Sequence, residues 1–306
     1  MILCCGENVI DFIPKNSKNY YFKACIGGSP LNTALALSRL NQSVYFFSRI
    51  SNDFFGKKII DFLNKNNVNT SLVQRTNDLT TITIVSDKQD PQFSIYATQT
   101  ADRNITEYYL DNNFRNKLLL AHFASVSLVL APGSETYFRM MQDLQKNCII
   151  SIDPNIRKNL IPDQNIFITR FNQFLNIADI IRFSFEDLNY IAPAKEKDSI
   201  IMNWILNNKV SVIILTEGSN GATLYTKKFK IKTQSINIKV VDTVGAGDSF
   251  QAGIFSWLMK NNFLFNKNFE LLAESEWSAC LNYANKIASL NCMKEGCDPP
   301  FEKDLT

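Results

Sequence analysis

The chain has 306 residues, enough for one large α/β domain or two small ones with a substantial buried core. A formal charge of +3 is too small to argue for a nucleic-acid or anionic-membrane partner, and 45% hydrophobic with 20% charged residues is the balance of a soluble globular protein. The seven cysteines form no CxxC pair and no zinc-like spacing, which fits a reducing cytosol, so a cytoplasmic location is expected.

Residues 2–5 read as a buried strand ended by Gly6. The start has no basic region, and Glu7 and Asp11 follow its short apolar run, so a signal peptide is not expected. Asp11 is either an acid in a surface turn or a ligand-binding carboxylate. Residues 20–22 and 25–26 suit short strands. Gly27 and Gly28 break the second of these, Pro30 suits the first turn of a helix, and Leu31, Leu35, Leu37 and Leu40 supply an apolar face. Asn32 therefore falls in the first helical turn, beside the glycines. Residues 44–47 read as a strand and 54–64 as a helix capped by Asp53. Residues 80–86 and 93–97 alternate with period two, joined by a turn at 87–91.

Strand and helix then alternate: strand 119–130, helix 135–146, strand 148–153, helix 165–176, strand 180–183, helices 186–192 and 199–207, strand 210–216. This order predicts an α/β fold with a doubly wound, mostly parallel sheet flanked by helices. His122, the only histidine, lies in an apolar strand and reads as a core residue; one such residue builds neither a catalytic triad nor a histidine metal site. The longest apolar stretch, 118–131, is too short to span a bilayer.

Residues 241–255, VDTVGAGDSFQAGIF, carry the chemistry. Val240, Val241 and Thr243 predict a strand, Gly245, Ala246 and Gly247 a turn, and the apolar run after them a helix. The first N–H groups of a helix lack partners within it and can hold an anion that small residues allow to approach closely. Asp248 stands at the helix start, where the dipole favours the ionised form, and a carboxylate there can take a proton from a hydroxyl attacking a phosphoryl group. Read alone, the glycines could equally form an ordinary turn with Asp248 as its cap. The sequence contains no GxxxxGK[ST], so a Walker-type site is not offered.

With Asp242-Thr243 before it and Ala252-Gly253 after it, this stretch resembles the second signature of the PfkB (ribokinase-like) sugar kinases, and GGSPLN at 27–32 resembles the first. The resemblance continues through the intermediate loops from residue 2 to near residue 300. It implies a single ribokinase-like domain over 1–306, with residues 13–26 and 80–98 forming a small β-sheet lid. It implies that the amides of Gly245, Ala246 and Gly247 stabilise the transferring phosphoryl group while Asp248 activates the substrate hydroxyl. It places Asp11, Gly27, Gly28 and Asn32 at the sugar, and Arg103 there too unless that side chain is simply solvated. Asp153-Pro154-Asn155-Ile156-Arg157 resembles the family's DPNxR and makes Arg157 the candidate for balancing phosphate charge.

Ser184-Phe185-Glu186-Asp187 stands where the family has NxxE, which holds magnesium and phosphate through water; both outer residues are shorter here, and Asp187 is the candidate for a water-mediated Mg²⁺ contact. Thr216, Gly218 and Gly221 match TxGxxGA, a loop along the nucleotide phosphates, and Asn285 sits on a helix that closes the adenine pocket in relatives. ATP and Mg²⁺ are thus the expected cofactors. A monovalent cation such as K⁺ and a homodimer stay open, and neither nucleic acid nor membrane is an expected partner.

The stretches ILCCGENVIDF, DPNIR and VDTVGAGD are most similar to bacterial fructokinases, which implies phosphorylation of D-fructose to fructose 6-phosphate. A 2-keto-3-deoxygluconate kinase, a ribokinase, a nucleoside kinase and a non-catalytic sugar-binding relative are the alternatives. GENVIDF and GGSPLNT contain Asp11 and Asn32 but no cation, which suits a neutral polyol better than an acid.

Overall fold

A strand of four apolar residues with no polar alternation has to be covered on both faces. In the computed structural model, which describes residues 1–15, 21–86, 93–161, 163–193 and 196–305, β1 (Ile2–Cys5) is wholly buried. The chain continues through β2 (Val9–Pro14), β3 (Phe22–Gly27), α1 (Ser29–Arg39), β4 (Val44–Phe47), β5 (Arg49–Ser51), α2 (Phe54–Lys65), β6 (Gln74–Thr76), β7 (Thr81–Val85) and β8 (Phe93–Tyr96). After α3 (Asn112–Lys117) come β9 (Leu120–Ala124), α4 (Gly133–Leu144), β10 (Ile149–Asp153), α5 (Gln164–Leu175), β11 (Ile180–Ser184), α6 (Phe185–Ile191) and α7 (Lys197–Asn207). The last elements are β12 (Val212–Thr216), β13 (Ala222–Tyr225), β14 (Lys230–Thr233), α8 (Ala246–Lys260) and α9 (Glu274–Cys292).

The main sheet has the order β14-β13-β12-β11-β10-β9-β1-β4, parallel from β4 to β12 and antiparallel at the β13–β14 edge. Period-two alternation sends its side chains into two cores. Ile2, Cys4, Leu120 and Ile149 pack with α1, α8 and α9, whereas Leu3, Cys5, Ala121 and Ile150 pack with α4, α5 and α7. The α/β, doubly wound, mostly parallel arrangement expected from the sequence is present. Among the described residues no helix is long and apolar enough to cross a membrane.

A second sheet of order β3-β2-β7-β8 stands apart from the first. Its centre is β2, antiparallel to β3 and parallel to β7. The sequence reading began this sheet at residue 13 and left Asp11 ahead of it, either in a surface turn or at the ligand; Asp11 lies within a strand that starts at Val9. Tyr20 and the turn at 87–91 lie outside the described residues.

Two further expectations fail for local reasons. The strand expected at 119–130 ends at Ala124, because Ser125 takes φ 61° and starts a single 3-10 turn, Ser125–Leu128. The strand expected at Val240–Thr243 is absent. Val240 and Val241 are exposed, and Val241 donates its N–H to Cys292 O (2.8 Å) at the end of α9 rather than to a strand. β-branched residues favoured extended backbone there, but no strand edge was available to pair with it.

Candidate active site

Two cavities meet at the N-terminus of α8. The first, of about 320 Å³, lies between the small sheet (Asp11, Thr83) and the main body (Glu7, Asn32, Asp248). The second, of about 900 Å³, is bordered by the loop after β12, by Phe250 and by Asn285 and Ala288 of α9. Arg182, Ser184, Thr243, Ala246 and Gly247 line both, so the GAGD turn is a shared wall.

Helix α8 begins from Gly245, which has φ 74° and supplies no side-chain cap. Its first turn therefore presents N–H groups and a positive dipole end to the cavities. The Ala246 N–H is the exception, donating to Thr243 O at 3.1 Å. Asp248 sits in this first turn and is buried. Ser29 Oγ donates to its Oδ1 (2.7 Å) and Asn32 Nδ2 to its Oδ2 (2.9 Å). Burial pushes the Asp248 carboxyl up to about 6 against the pull of these two bonds; Asp153 adds to the rise and Arg182 opposes it. Two charge-assisted hydrogen bonds, at about 1.5–3 kcal/mol each, thus do not offset the loss of water. A carboxylate that titrates close to neutral is well matched to accepting a proton.

The sequence reading missed Arg182. This side chain lies on β11 inside an otherwise apolar run, is buried, and donates from Nη1 to Asp153 Oδ2 (2.8 Å) and from Nη2 to Thr216 Oγ1 (2.6 Å). Burial works against its charge, but Asp153, with Asp187 and Asp248 nearby, holds the guanidinium above its ordinary value. Its Nε is buried without a partner, as is Asp153 Oδ1. A Cβ on residue 247 would stand 2.6 Å from Arg182 Nη1, so only glycine lets the anion loop lie against the guanidinium. A charge in a buried strand needs a partner, and that rule was the signal available in the sequence.

On the first cavity's side, Asp11 is half-buried; burial pushes its carboxyl up to about 6, against the Thr83 hydroxyl and the charge of Arg157. Arg157 is exposed at the rim and donates to Asn155 Oδ1 at 2.8 Å. Gly27 packs against Asp11, where a Cβ would lie 2.4 Å from Oδ2. Gly28, at φ 115°, turns the chain over the Glu7 carbonyl into α1. Arg103 borders the cavity but donates to the carbonyls of Ala97 and Ala131, each at 3.1 Å. Glu7 and Asp102 are also buried in the wall, and burial pushes them up to about 7 and about 6; sequence reasoning gave neither a role at the site.

Ser184, which lines both cavities, caps α6, and Asp187, which lines the smaller, completes a capping box. Asp187 Oδ2 accepts from Ser184 N and Oγ (both 2.9 Å), and Oδ1 accepts from Ile156 N (2.7 Å), which ties the 155–157 loop to α6. Thr216 receives Arg182, while Gly218 and Gly221 turn the loop after β12. Asn285 Nδ2 donates to Thr233 Oγ1 (3.0 Å) and Gln234 O (3.1 Å). Among the described residues no group of three or more His, Cys, Asp or Glu side chains could hold a metal ion.

Comparison with known proteins matches residues 1–304 to the model of the pfkB family carbohydrate kinases. A fructokinase of Rhizobium leguminosarum bv. trifolii is 34% identical over 279 residues, covering 90% of this chain and 84% of that protein. The crystal structure of a fructokinase with bound ATP from Xylella fastidiosa superposes with a TM-score of 0.89 at 25% identity, over 99% of this chain and 96% of that one. A Vibrio cholerae fructokinase in a fructose, ADP and calcium ion bound form has a TM-score of 0.82 at 22% identity, over 97% of this chain and 94% of that one, a likeness of fold.

Proposed function

The chain belongs to the pfkB family of carbohydrate kinases, and from that premise we propose that it transfers the γ-phosphoryl group of ATP to D-fructose, giving fructose 6-phosphate. The observation that carries this reading is the meeting of two cavities of different character at Gly247 and Asp248. A sugar in the smaller cavity presents its hydroxyl to Asp248, and a triphosphate in the larger one reaches the same wall from the opposite side. Asp248 takes the hydroxyl proton as its oxygen attacks phosphorus. The first-turn N–H groups of α8 and the Arg182 guanidinium face the charge that develops on the phosphoryl oxygens. Asp11 and Asn32 bind sugar hydroxyls beneath the small sheet, which acts as the cover of the sugar site.

Magnesium is the cation we assign to the triphosphate. Mg²⁺ keeps several waters and relies on substrate phosphates, so it needs few protein ligands. That suits a site in which Asp187 accepts from Ser184 N and Oγ at Oδ2 and from Ile156 N at Oδ1, so that at most one further bond, from a water to Oδ1, is open to it. Arg157 at the rim balances phosphate charge, and Arg103 holds the base of the small sheet through its two carbonyl contacts.

The substrate follows from charge. Glu7, Asp11, Asp102, Asp187 and Asp248 face one small cavity; of its cations, Arg103 donates to Ala97 and Ala131, Arg182 to Asp153 and Thr216, and Arg157 stands exposed at the rim, so a carboxylate-bearing sugar would enter among acids at an electrostatic cost. The test is ATP consumption with fructose, ribose, 2-keto-3-deoxygluconate and adenosine. Fructose is expected to give the highest kcat/KM; a clear preference for the keto-deoxy acid would overturn the substrate, and no consumption with any of them would overturn the activity.

A further inference from the structure

The buried carboxylate of Glu7 has no task in the chemistry above, yet it is the hub of a chain of contacts that ends on Asp248. Ser29 N donates to Glu7 Oε1 (3.1 Å), Ser127 Oγ donates to Glu7 Oε2 (2.7 Å), and Glu7 N donates back to Ser127 Oγ (2.7 Å). Ser29 Oγ in turn donates to Asp248 Oδ1 at 2.7 Å. All four residues are less than one-tenth exposed and come from separate parts of the chain. The approach is tight: a Cβ on residue 28 would stand 2.7 Å from Glu7 O, and one on residue 6 would stand 2.4 Å from Ser127 Oγ. Burying a carboxylate is costly, and a well-packed neutral side chain would be more stable there, so retaining the acid calls for a task.

Resting on the kinase reading above, we propose that Glu7 and Ser29 are positioning residues for Asp248: Glu7 fixes Ser29, and the Ser29 hydroxyl holds Oδ1, leaving Oδ2 to face the attacking sugar hydroxyl. Asn32 can share its second amide hydrogen with the sugar while it keeps Oδ2 in place. The Ser29 bond favours the ionised carboxylate, so its loss moves the protonation of the base to higher pH. The other charged or titratable groups bearing on Asp248 are Asp153 from β10, Arg182 from β11 and Cys297 beyond α9, and none of them is altered by a change at Ser29 or Glu7.

The experiment is the pH dependence of kcat and of the fructose KM for Ser29→Ala, Glu7→Ala and Glu7→Gln, with Asp248→Asn in the same assay. Ser29→Ala is expected to lower kcat about tenfold, to change KM little, and to move the acid limb of kcat upward by about half a pH unit. Glu7→Ala should do the same. Glu7→Gln should restore the wild-type limb, because its amide oxygen can accept from Ser29 N while its NH₂ donates to Ser127 Oγ. An unmoved limb in Ser29→Ala, or a Glu7→Gln enzyme as displaced as Glu7→Ala or raised in KM, would overturn the proposal. Loss of turnover in Asp248→Asn assigns the base independently, so an unmoved limb counts against the relay and not against the kinase. If Glu7→Ala does not fold, Ser29→Ala, which removes a single hydroxyl, decides the matter alone.

Discussion

The two cavities that meet at Gly247 are built on opposite plans. The smaller gathers five acids, Glu7, Asp11, Asp102, Asp187 and Asp248, each pushed up by burial and each held by hydroxyl or amide donors. The larger is shaped by a loop turning at Gly218 and Gly221, the 236–240 segment with exposed Val240, and one face of α9. Its acids are Glu186 and Glu217, and Glu217 pairs with Lys232 at 3.3 Å. The side where a proton has to move is prepared electrostatically, and preparation there consists of placing carboxylates where water cannot relax around them. On the proposed reading, the side that would hold a triphosphate meets the N–H groups and guanidinium of the shared wall with charge that the ligand brings with it.

If that contrast is right, substitutions on the acidic side act on turnover and on the sugar, and those on the other side act more weakly. The largest expected effect is at the wall itself: Asp248→Asn should lower kcat by roughly 10²- to 10⁴-fold with fructose and ATP binding retained, measured by steady-state turnover and titration calorimetry. Gly247→Val should follow, with a fall of about 10² or more in kcat and little change in fructose affinity, because a side chain there displaces the Arg182 guanidinium. Weakened fructose binding with normal turnover would instead assign the loop to the sugar.

Smaller effects separate the two cavities. Asp11→Ala and Asn32→Ala should raise the fructose KM about tenfold and leave the ATP KM nearly unchanged, whereas Asn285→Ala should do the reverse by only a few-fold. The smallest effect concerns stability. Burial holds the folded carboxyl of Asp248 up at about 6, above its ordinary value of 3.8, so its contribution to stability is present below about pH 4 and lost as pH rises through about 6. Asp248→Asn should therefore be more stable than the wild type at pH 7.5 by about 1–3 kcal/mol, with the gap closing near pH 4, as read by thermal unfolding at both values.

The sequence made the parallel sheet legible because its strands are continuous apolar runs separated by helical periods. GAGD and GGSPLN were legible because each is a local chemical pattern, a turn feeding a helix start. What was not legible depends on partners far along the chain. Arg182 finds Asp153 and Thr216 only once β10, β11 and β12 are side by side, and Glu7 finds Ser127 only because the chain turns at Ser125 instead of extending β9. Val240 and Val241 show the converse, a local preference for strand with no edge to receive it.

The most direct test of Asp248 as the base is the pH profile of kcat/KM for fructose phosphorylation by the wild-type enzyme from pH 4.5 to 8.5. The base has to be ionised to accept the hydroxyl proton, and burial holds it up at about 6 in the free protein, so kcat/KM should rise through about pH 6 to a plateau. A profile that stays flat down to pH 4.5, or one whose limb is unchanged in Asp248→Asn, would contradict the assignment.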